Sequence, residues 1–560
     1  MSRAFFNLDR IDPDGLRRVA SALRSAGYSE RGVQERLCLE DITELELEAF
    51  PFLLKHRLRK RSPLDVAISL FLLQGKATEE ELGELFDTAA RRLLRKSKIL
   101  AADPTDRTYL ARVSLFPLGE KLFFTDHRYA HTAWHKARVD RDPVMFLDTD
   151  SYWLARSTVR KPVRNVLDLG TGCGLHAILA AESAERVVGV DINRRAVNFA
   201  RLNATLNDAW NAVFVDGDLF TPVGRERFDL IVANPPCVAA PTYRLSYRDG
   251  GPSGADVLRR VIAHLPDHLS TEGTAHVVTR IAERDGEPYL DRIRRWLGGA
   301  NMNLHSLRVE EQSILEFAIK HTKHVFGERY ERYSRELMDW VTNMRAQRFR
   351  RVISVVLSVQ WNEDGPHSPW TQEDECKPPT GDFALELARL LHAKRRVRSL
   401  PSLESLSGMR LGIPDDLLLI ERRRPTGEGF DTKDFRVEFK HARMSTELDV
   451  KPLVRDLLER VDNRATVPEV IQRLAEDTGQ DVAAIDERCR KALLVMFERG
   501  LVTLDELSSV SSGHRPTGVP SGPPEAQRTQ VQSGIDPRSI STDASSGELF
   551  LPQDDGQAPN

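Results

Sequence analysis

The sequence predicts an α/β protein, with a doubly wound, Rossmann-like domain flanked by helical, winged-helix-like domains. Three stretches carry the prediction. "VRNVLDLGTGCGLHAILAAES" (163–183) is an apolar strand, a Gly-rich turn and a helix. "RVVGVDINRRAVNFARLNA" (186–204) repeats strand then helix, and "FDLIVANPPCVAAP" (228–241) is a third apolar strand that ends in polar, stiff residues. Strands alternating with helical patterns read as a parallel sheet.

Around this centre the 560 residues divide by composition and period. Residues 1–143 read as a helical and winged-helix-like domain. Three short amphipathic helices (63–100) precede "TYLARVSLFPLGEKLFFTD", a hairpin-like pair of apolar runs. Residues 144–375 form the Rossmann-like domain, with "GTAHVVTRIA" and "RRVISVVLSVQW" completing its sheet around a long helical excursion. Within that excursion, 324–351 reads as a helix packed on the sheet. Residues 376–507 read as an α+β region ending in a second winged-helix-like module (450–504). The tail, 508–560, is Ser/Gly/Pro-rich and too poor in large apolar groups to order itself.

Hydrophobic content of 41% and charged content of 29% are those of a globular protein, and a net charge of −3 argues against one coated all over by a polyanion. The basic runs "KHRLRKR" (55–61) and "RRLLRKSK" (91–98) are either solvated faces or a local nucleic-acid-binding face. Five scattered cysteines offer no zinc-type spacing, so no metal is expected. The N-terminus does not read as a secretory signal, and the longest apolar run, "VAISLFLL", is far too short to span a bilayer. A cytoplasmic protein without a membrane partner is expected.

Each strand end contributes to one site. Gly170, Gly172 and Gly174 permit a tight turn that brings backbone close to a ligand. Asp191 ends the second strand about 20 residues on, where this fold grips a ribose hydroxyl. The turn lacks the GxGxxG of a dinucleotide site and begins with Asp168, which would repel a pyrophosphate but suits the ammonium of a methionine. The methionine carboxylate is then expected on the N–H groups of the turn. S-adenosyl-L-methionine fits better than a nicotinamide dinucleotide. Its expected contacts are Asp168, Gly170, Thr171, Gly172, Cys173, Gly174 and Asp191. Asp218 and Leu219, ending "AVFVDGDLF", are expected at the adenine, and Asn234 at the methyl. His176 reads as a surface or ligand-edge residue.

"LDLGTGCG", "VVGVDIN", "GDLF" and "FDLIVANPP" together resemble the class I S-adenosylmethionine-dependent methyltransferases of the HemK-type (release factor glutamine N5) and amino-base (NPPY-motif) groups. "YRDGGPSGADVLRRVI" (247–262) is similar to the loop and helix after Asn-Pro-Pro in the glutamine enzymes. The resemblance covers about residues 145–280. It implies methyl transfer to a planar NH2 group, held by the Asn234 side chain and the Pro235 carbonyl as catalytic groups. Pro236 and Cys237 follow at the substrate. Cys237 departs from the Tyr or Phe usual at that place, and Tyr243 or Tyr247 is a candidate to replace the missing ring. The implied partner is a macromolecule presenting either a glutamine amide or the exocyclic amine of an RNA or DNA base. A small-metabolite methyltransferase and a non-catalytic cofactor sensor are the alternatives.

Overall fold

An eight-stranded mixed sheet organises the chain. Its strands are β1 (Val163–Leu169), β2 (Ala184–Asp191), β3 (Ala212–Asp216), β4 (Phe228–Ala233), β5 (Leu269–Arg284), β6 (Met302–Ser313), β7 (Phe349–Trp361) and β8 (Thr371–Glu375), ordered β8-β6-β7-β5-β4-β1-β2-β3. The computed structural model describes residues 11–127, 143–242, 245–322, 330–362, 369–376, 378–379, 383–426, 429–439 and 447–506. The tail expected to be disordered lies outside them. Strands β1 to β5 run parallel, while β7 is antiparallel to both β5 and β6. The order reverses between β1 and β4, which is where a doubly wound sheet opens a ligand crevice.

Both sheet faces are buried, as parallel sheets require. Along β4, Leu230 and Val232 enter one core while Ile231 and Ala233 enter the other. Helices α1 (Thr149–Ser157), α2 (Leu175–Ala180), α3 (Arg194–Leu206) and α4 (Asp256–His268) cover it. The expected helical excursion is not continuous: after a first helix, Tyr289–Trp296, β6 intervenes before its longer part begins. The buried polar residues Asn303, His305 and Ser306 hide the apolar alternation of that strand. That longer part is α5 (Ile314–Thr322) and α6 (Tyr330–Ala346). Phe317, Trp340 and Met344 pack on Val238, Ala239 and Ala240, so the pair covers the loop after β4 as well as strand residues Ala282 and Val352.

The N-terminal region has the elements of a winged helix, but its wing lies earlier than expected. Lys76–Ala77, Leu100–Ala102 and Tyr109–Ala111 form one sheet with the third strand in the middle. Lys76 Nζ bridges Asp103 and Asp106, both at 2.7 Å, in the turn joining the last two strands. The apolar hairpin is separate: Ser114–Leu118 pairs with Lys121–Thr125.

The hairpin's free edge meets α3 through two buried asparagines. Asn203 Oδ1 accepts the Phe124 N–H (2.8 Å) and Asn203 Nδ2 donates to the Phe124 carbonyl (2.9 Å). Asn207 does the same at Leu122, at 2.9 and 2.7 Å. Four helical residues rise about 6 Å and two strand residues about 6.6 Å, so an i, i+4 pair of amides matches every second residue of a strand edge. The helix acts here as the missing neighbouring strand. The N-terminal core and one face of the sheet are accordingly continuous.

The C-terminal region has its own core, built on Leu411, Val470, Ile471, Cys489 and Leu493. Its 450–504 segment contains three helices, Pro452–Leu458, Val467–Thr478 and Val482–Glu498, but the strand after them, Thr503–Glu506, pairs with Met409–Gly412 rather than forming a wing. Helix Phe383–Ser399 ties to the sheet through Lys394, which is fully buried and pairs with Asp374 of β8 at 3.1 Å; His305 Nε2 donates to the same carboxylate at 2.8 Å.

Asn203→Leu should destabilise the chain by about 3 kcal/mol in urea unfolding, because it leaves buried backbone groups without partners. Asn193→Leu, at a half-buried helix N-cap, should change stability less, chiefly by loss of that cap.

Candidate active site

β1 and β4 are parallel neighbours with Leu169 opposite Ala233. One residue further on, a Cβ placed on Gly170 would lie 3.9 Å from the Asn234 carbonyl oxygen. The Gly-rich turn and the Asn-Pro-Pro strand end therefore sit side by side. Gly170, Gly172 and Gly174 all have positive φ (68°, 54° and 85°), a conformation costly for other residues. Their surroundings differ. A Cβ on Gly174 would lie 3.0 Å from Ala200, so that glycine lets α2 approach α3, whereas at Gly170 and Gly172 nothing lies closer than 3.9 Å.

The turn is stitched to the end of β2. Gly170 and Thr171 N–H both donate to the Val190 carbonyl, Gly172 N–H donates to Asp191 Oδ2 at 2.8 Å, and Gly174 N–H donates to the Thr171 carbonyl. These four belong to the turn whose N–H groups are expected to receive a methionine carboxylate, and in the structure each already has a protein acceptor. The short turn needs them for its own closure. The Cys173 carbonyl accepts from Asn203 Nδ2 at 2.8 Å, which links the turn to the hairpin contact.

Asp168 is fully buried. Its Oδ2 accepts from Thr171 Oγ1 (2.6 Å) and from the Ala177 N–H (3.0 Å), while Oδ1 has no partner among the described residues. Burial pushes its carboxyl up to about 7. Asp191 is also pushed up by burial, and both its oxygens accept backbone N–H groups, from Gly172 and Asn193. Asp218 departs from expectation: β3 ends at Asp216, and the Asp218 carboxylate pairs with Arg260 at 2.6 Å. Leu219 beside it is half-buried with φ 49°. His176 is not at the surface. It is buried in α2 and pushed down to about 3, so it stays neutral.

At the acceptor side, Pro235 and Cys237 are buried, Asn234 and Pro236 are half-buried, and Tyr243 lies outside the described residues. Cys173 and Cys237 are held as thiols by burial, consistent with filling rather than redox work. Tyr247 is half-buried among Arg248, Asp148, Asp249 and Asp126.

A family model of the methyltransferase small domain matches residues 144–293. A Methanocaldococcus jannaschii protein, provisionally named as a protein N5-glutamine methyltransferase, is 37% identical over 136 residues, covering 23% of this chain and 68% of that one. The chain belongs to the S-adenosylmethionine-dependent methyltransferases. The ribosomal protein uL3 glutamine methyltransferase of Bradyrhizobium diazoefficiens is 40% identical over 124 residues, covering 20% of this chain and 39% of that one. The release factor glutamine methyltransferase of Geobacter sulfurreducens is 34% identical over 135 residues, covering 21% and 46%. The methyltransferase thus spans less than half the length of those two relatives.

The site residues fit the family's cofactor, S-adenosylmethionine. The orphaned Asp168 Oδ1 suits a cationic group, and the open side of Gly170 and Gly172 admits backbone-close contact. Sequence reasoning missed two ion pairs of this methyltransferase. Arg195 of α3 pairs with Asp126, which also accepts the Val144 N–H. Arg280 of β5 pairs with Asp150 of α1 at 3.0 Å, with both side chains about nine-tenths buried. Partners 130 residues apart leave no local signal.

Without cofactor, charging Asp168 between about pH 4 and 7 should lower stability as pH rises, since the folded state holds the proton more tightly than the unfolded chain. Asp168→Asn should therefore raise the Tm of the cofactor-free protein at pH 8. It should also weaken S-adenosylmethionine binding about tenfold or more by calorimetry, and wild-type affinity should fall as pH drops below 7.

Proposed function

We propose that this methyltransferase moves the methyl group of S-adenosylmethionine to the side-chain amide nitrogen of a protein glutamine. The observation that carries the reading is the adjacency of Asn234-Pro235 to the open Gly170 turn, set by the pairing of β1 with β4. Asp168 holds the methionine ammonium and Asp191 a ribose hydroxyl. Leu219 and the 71%-exposed Ile192 offer apolar surface to the adenine. Asp218, paired with Arg260, is the weakest member of the expected cofactor set.

An amide nitrogen is a poor nucleophile because its lone pair is delocalised. Asn234 Oδ1 and the Pro235 carbonyl each accept one N–H of the planar NH2 group, and the proline ring fixes the backbone that presents them. The bound cofactor supplies an electrophilic methyl on a sulfonium. As the nitrogen–carbon bond forms and the carbon–sulfur bond breaks, the two acceptors retain the hydrogen bonds of the nitrogen, and one proton leaves through them to water. Catalysis is positioning and electrostatics, without a strong base.

Three observations favour a protein acceptor over nucleic acid. The relatives named above are glutamine methyltransferases. Around the acceptor side, Asp126, Asp148, Asp150, Asp249 and Glu310 outnumber Arg195, Arg248 and Arg280, which disfavours a phosphate backbone. In the expected recognition helix, Arg91 and Arg95 are tied to Glu79, and Arg61 of the other basic run is tied to Glu81 at 2.6 Å. A reducing cytoplasmic setting accords with five free cysteines, and no helix among the described residues is long and apolar enough to cross a membrane.

Labelled S-adenosylmethionine and fractionated cell extract test the reading. Label is expected in protein, on glutamine by mass spectrometry, with weak dependence on salt. Asn234→Ala should cut transfer about a hundredfold or more while cofactor affinity stays within about twofold. Undiminished turnover in that variant would remove the planar-nitrogen mechanism, and label in nuclease-sensitive material would move the acceptor to a base amine.

A further inference from the structure

Cys237 leaves a gap in the planar-nitrogen reading on which this inference rests: cysteine cannot stack on a flat acceptor. A different planar group, the Arg280 guanidinium, lies near that thiol. In the parallel register of β5 and β4, Val277 lies beside Ala233, so β5 runs on past the loop that carries Asn234-Pro235-Pro236 and brings Arg280 close to the Cys237 thiol. The Arg280 guanidinium belongs to the same corner. Nη1 donates to Asp150 Oδ2, the side chain is only 10% exposed, and Nε is buried without a partner among the described residues. Asp150 is itself fixed near the start of α1, where its Oδ1 accepts the Ser151 N–H.

The geometry points to Arg280 as the residue that takes over the aromatic ring's part, covering the planar acceptor with its guanidinium while Asp150 holds it in orientation. A guanidinium is flat and stacks on π systems, and its Nε–H is a donor suited to the carbonyl oxygen of an amide. A small residue at 237 is what makes room for it. Arg280 is thus a positioning and specificity residue for the acceptor, distinct from the groups that hold the cofactor.

The test compares wild type, Arg280→Lys and the double variant Arg280→Lys/Cys237→Tyr, using the full chain, labelled S-adenosylmethionine and extract fractions as acceptor. Lysine keeps the charge and the Asp150 partner but loses the plane. The expected result for Arg280→Lys is a rise in KM for the acceptor of about tenfold or more, with KM for S-adenosylmethionine and the Tm unchanged; restoring a ring at 237 should recover most of the loss. Equal acceptor KM in wild type and Arg280→Lys overturns the assignment. So does a parallel loss of cofactor affinity or Tm that the tyrosine does not rescue, because a merely structural ion pair behaves that way. The arms separate the two readings. Label in nucleic acid with the same Arg280 dependence overturns the glutamine acceptor but supports Arg280, whereas no label from wild type in any fraction overturns both.

Discussion

The fit of a helix to a strand edge holds this molecule together. Asn203 and Asn207 stand one helical turn apart on α3 and meet Phe124 and Leu122, two residues apart on the hairpin, because the two spacings nearly coincide. An exposed strand edge is an invitation to aggregate, and a buried one without partners is costly. The amides answer both problems at once. Since Asn203 also reaches the Cys173 carbonyl, the contact that seats the N-terminal domain is one hydrogen bond away from the cofactor turn. The N-terminal domain is therefore part of the rigid support of the site rather than an appendage.

On that support, the parallel pairing of β1 and β4 brings together the two strand ends proposed to carry the chemistry. The turn after β1 donates its N–H groups inward, to Val190, Asp191 and Thr171, and so becomes stiff. The end of β4 is stiff for a different reason, two consecutive prolines. Neither element has to reorganise when charge moves between cofactor and acceptor, which is the condition under which fixed dipoles are effective. Asp168 shows the complementary cost. A buried carboxyl with an unused oxygen is unfavourable in the empty chain, and a cationic ligand relieves it.

What could be read from the sequence was whatever chemistry forces into short contiguous patterns. The glycines, Asp168, Asp191 and Asn234-Pro235-Pro236 each sit at a strand end, where a distinctive backbone leaves its mark within a few residues. Their neighbourhood in space follows from the strand order. Strand β6 escaped because its buried positions are filled by Asn303, His305 and Ser306, each tolerated in a core through one side-chain hydrogen bond, to the Trp370 N–H, Asp374 and the Tyr289 hydroxyl respectively. The wing was displaced because two consecutive hairpins share one apolar run. Nothing in the sequence of α3 alone marks Asn203 and Asn207 as buried, and only the hairpin edge, some 80 residues earlier, explains it. β3 ends two residues before Asp218, sooner than its apolar pattern suggests.

The Asp150–Arg280 pair is the feature that stability alone explains least. Burying two charges costs more than their mutual attraction commonly returns, and a well-packed apolar pair of similar volume would be at least as stable. This pair also leaves a donor, Arg280 Nε, without a partner among the described residues, in a place where an apolar residue would leave none. It lies at the loop carrying the proposed acceptor groups, next to the one residue that departs from the family's aromatic pattern. With Asp148 and Glu310 also nearby, the guanidinium has more negative charge around it than it needs for neutrality, so its charge is held firmly whatever enters the site. An acceptor that is flat and uncharged can approach such a surface without breaking an ion pair, whereas a phosphate would meet the surrounding carboxylates first. The local physics of this corner and the glutamine reading converge on the same kind of acceptor: a neutral amide.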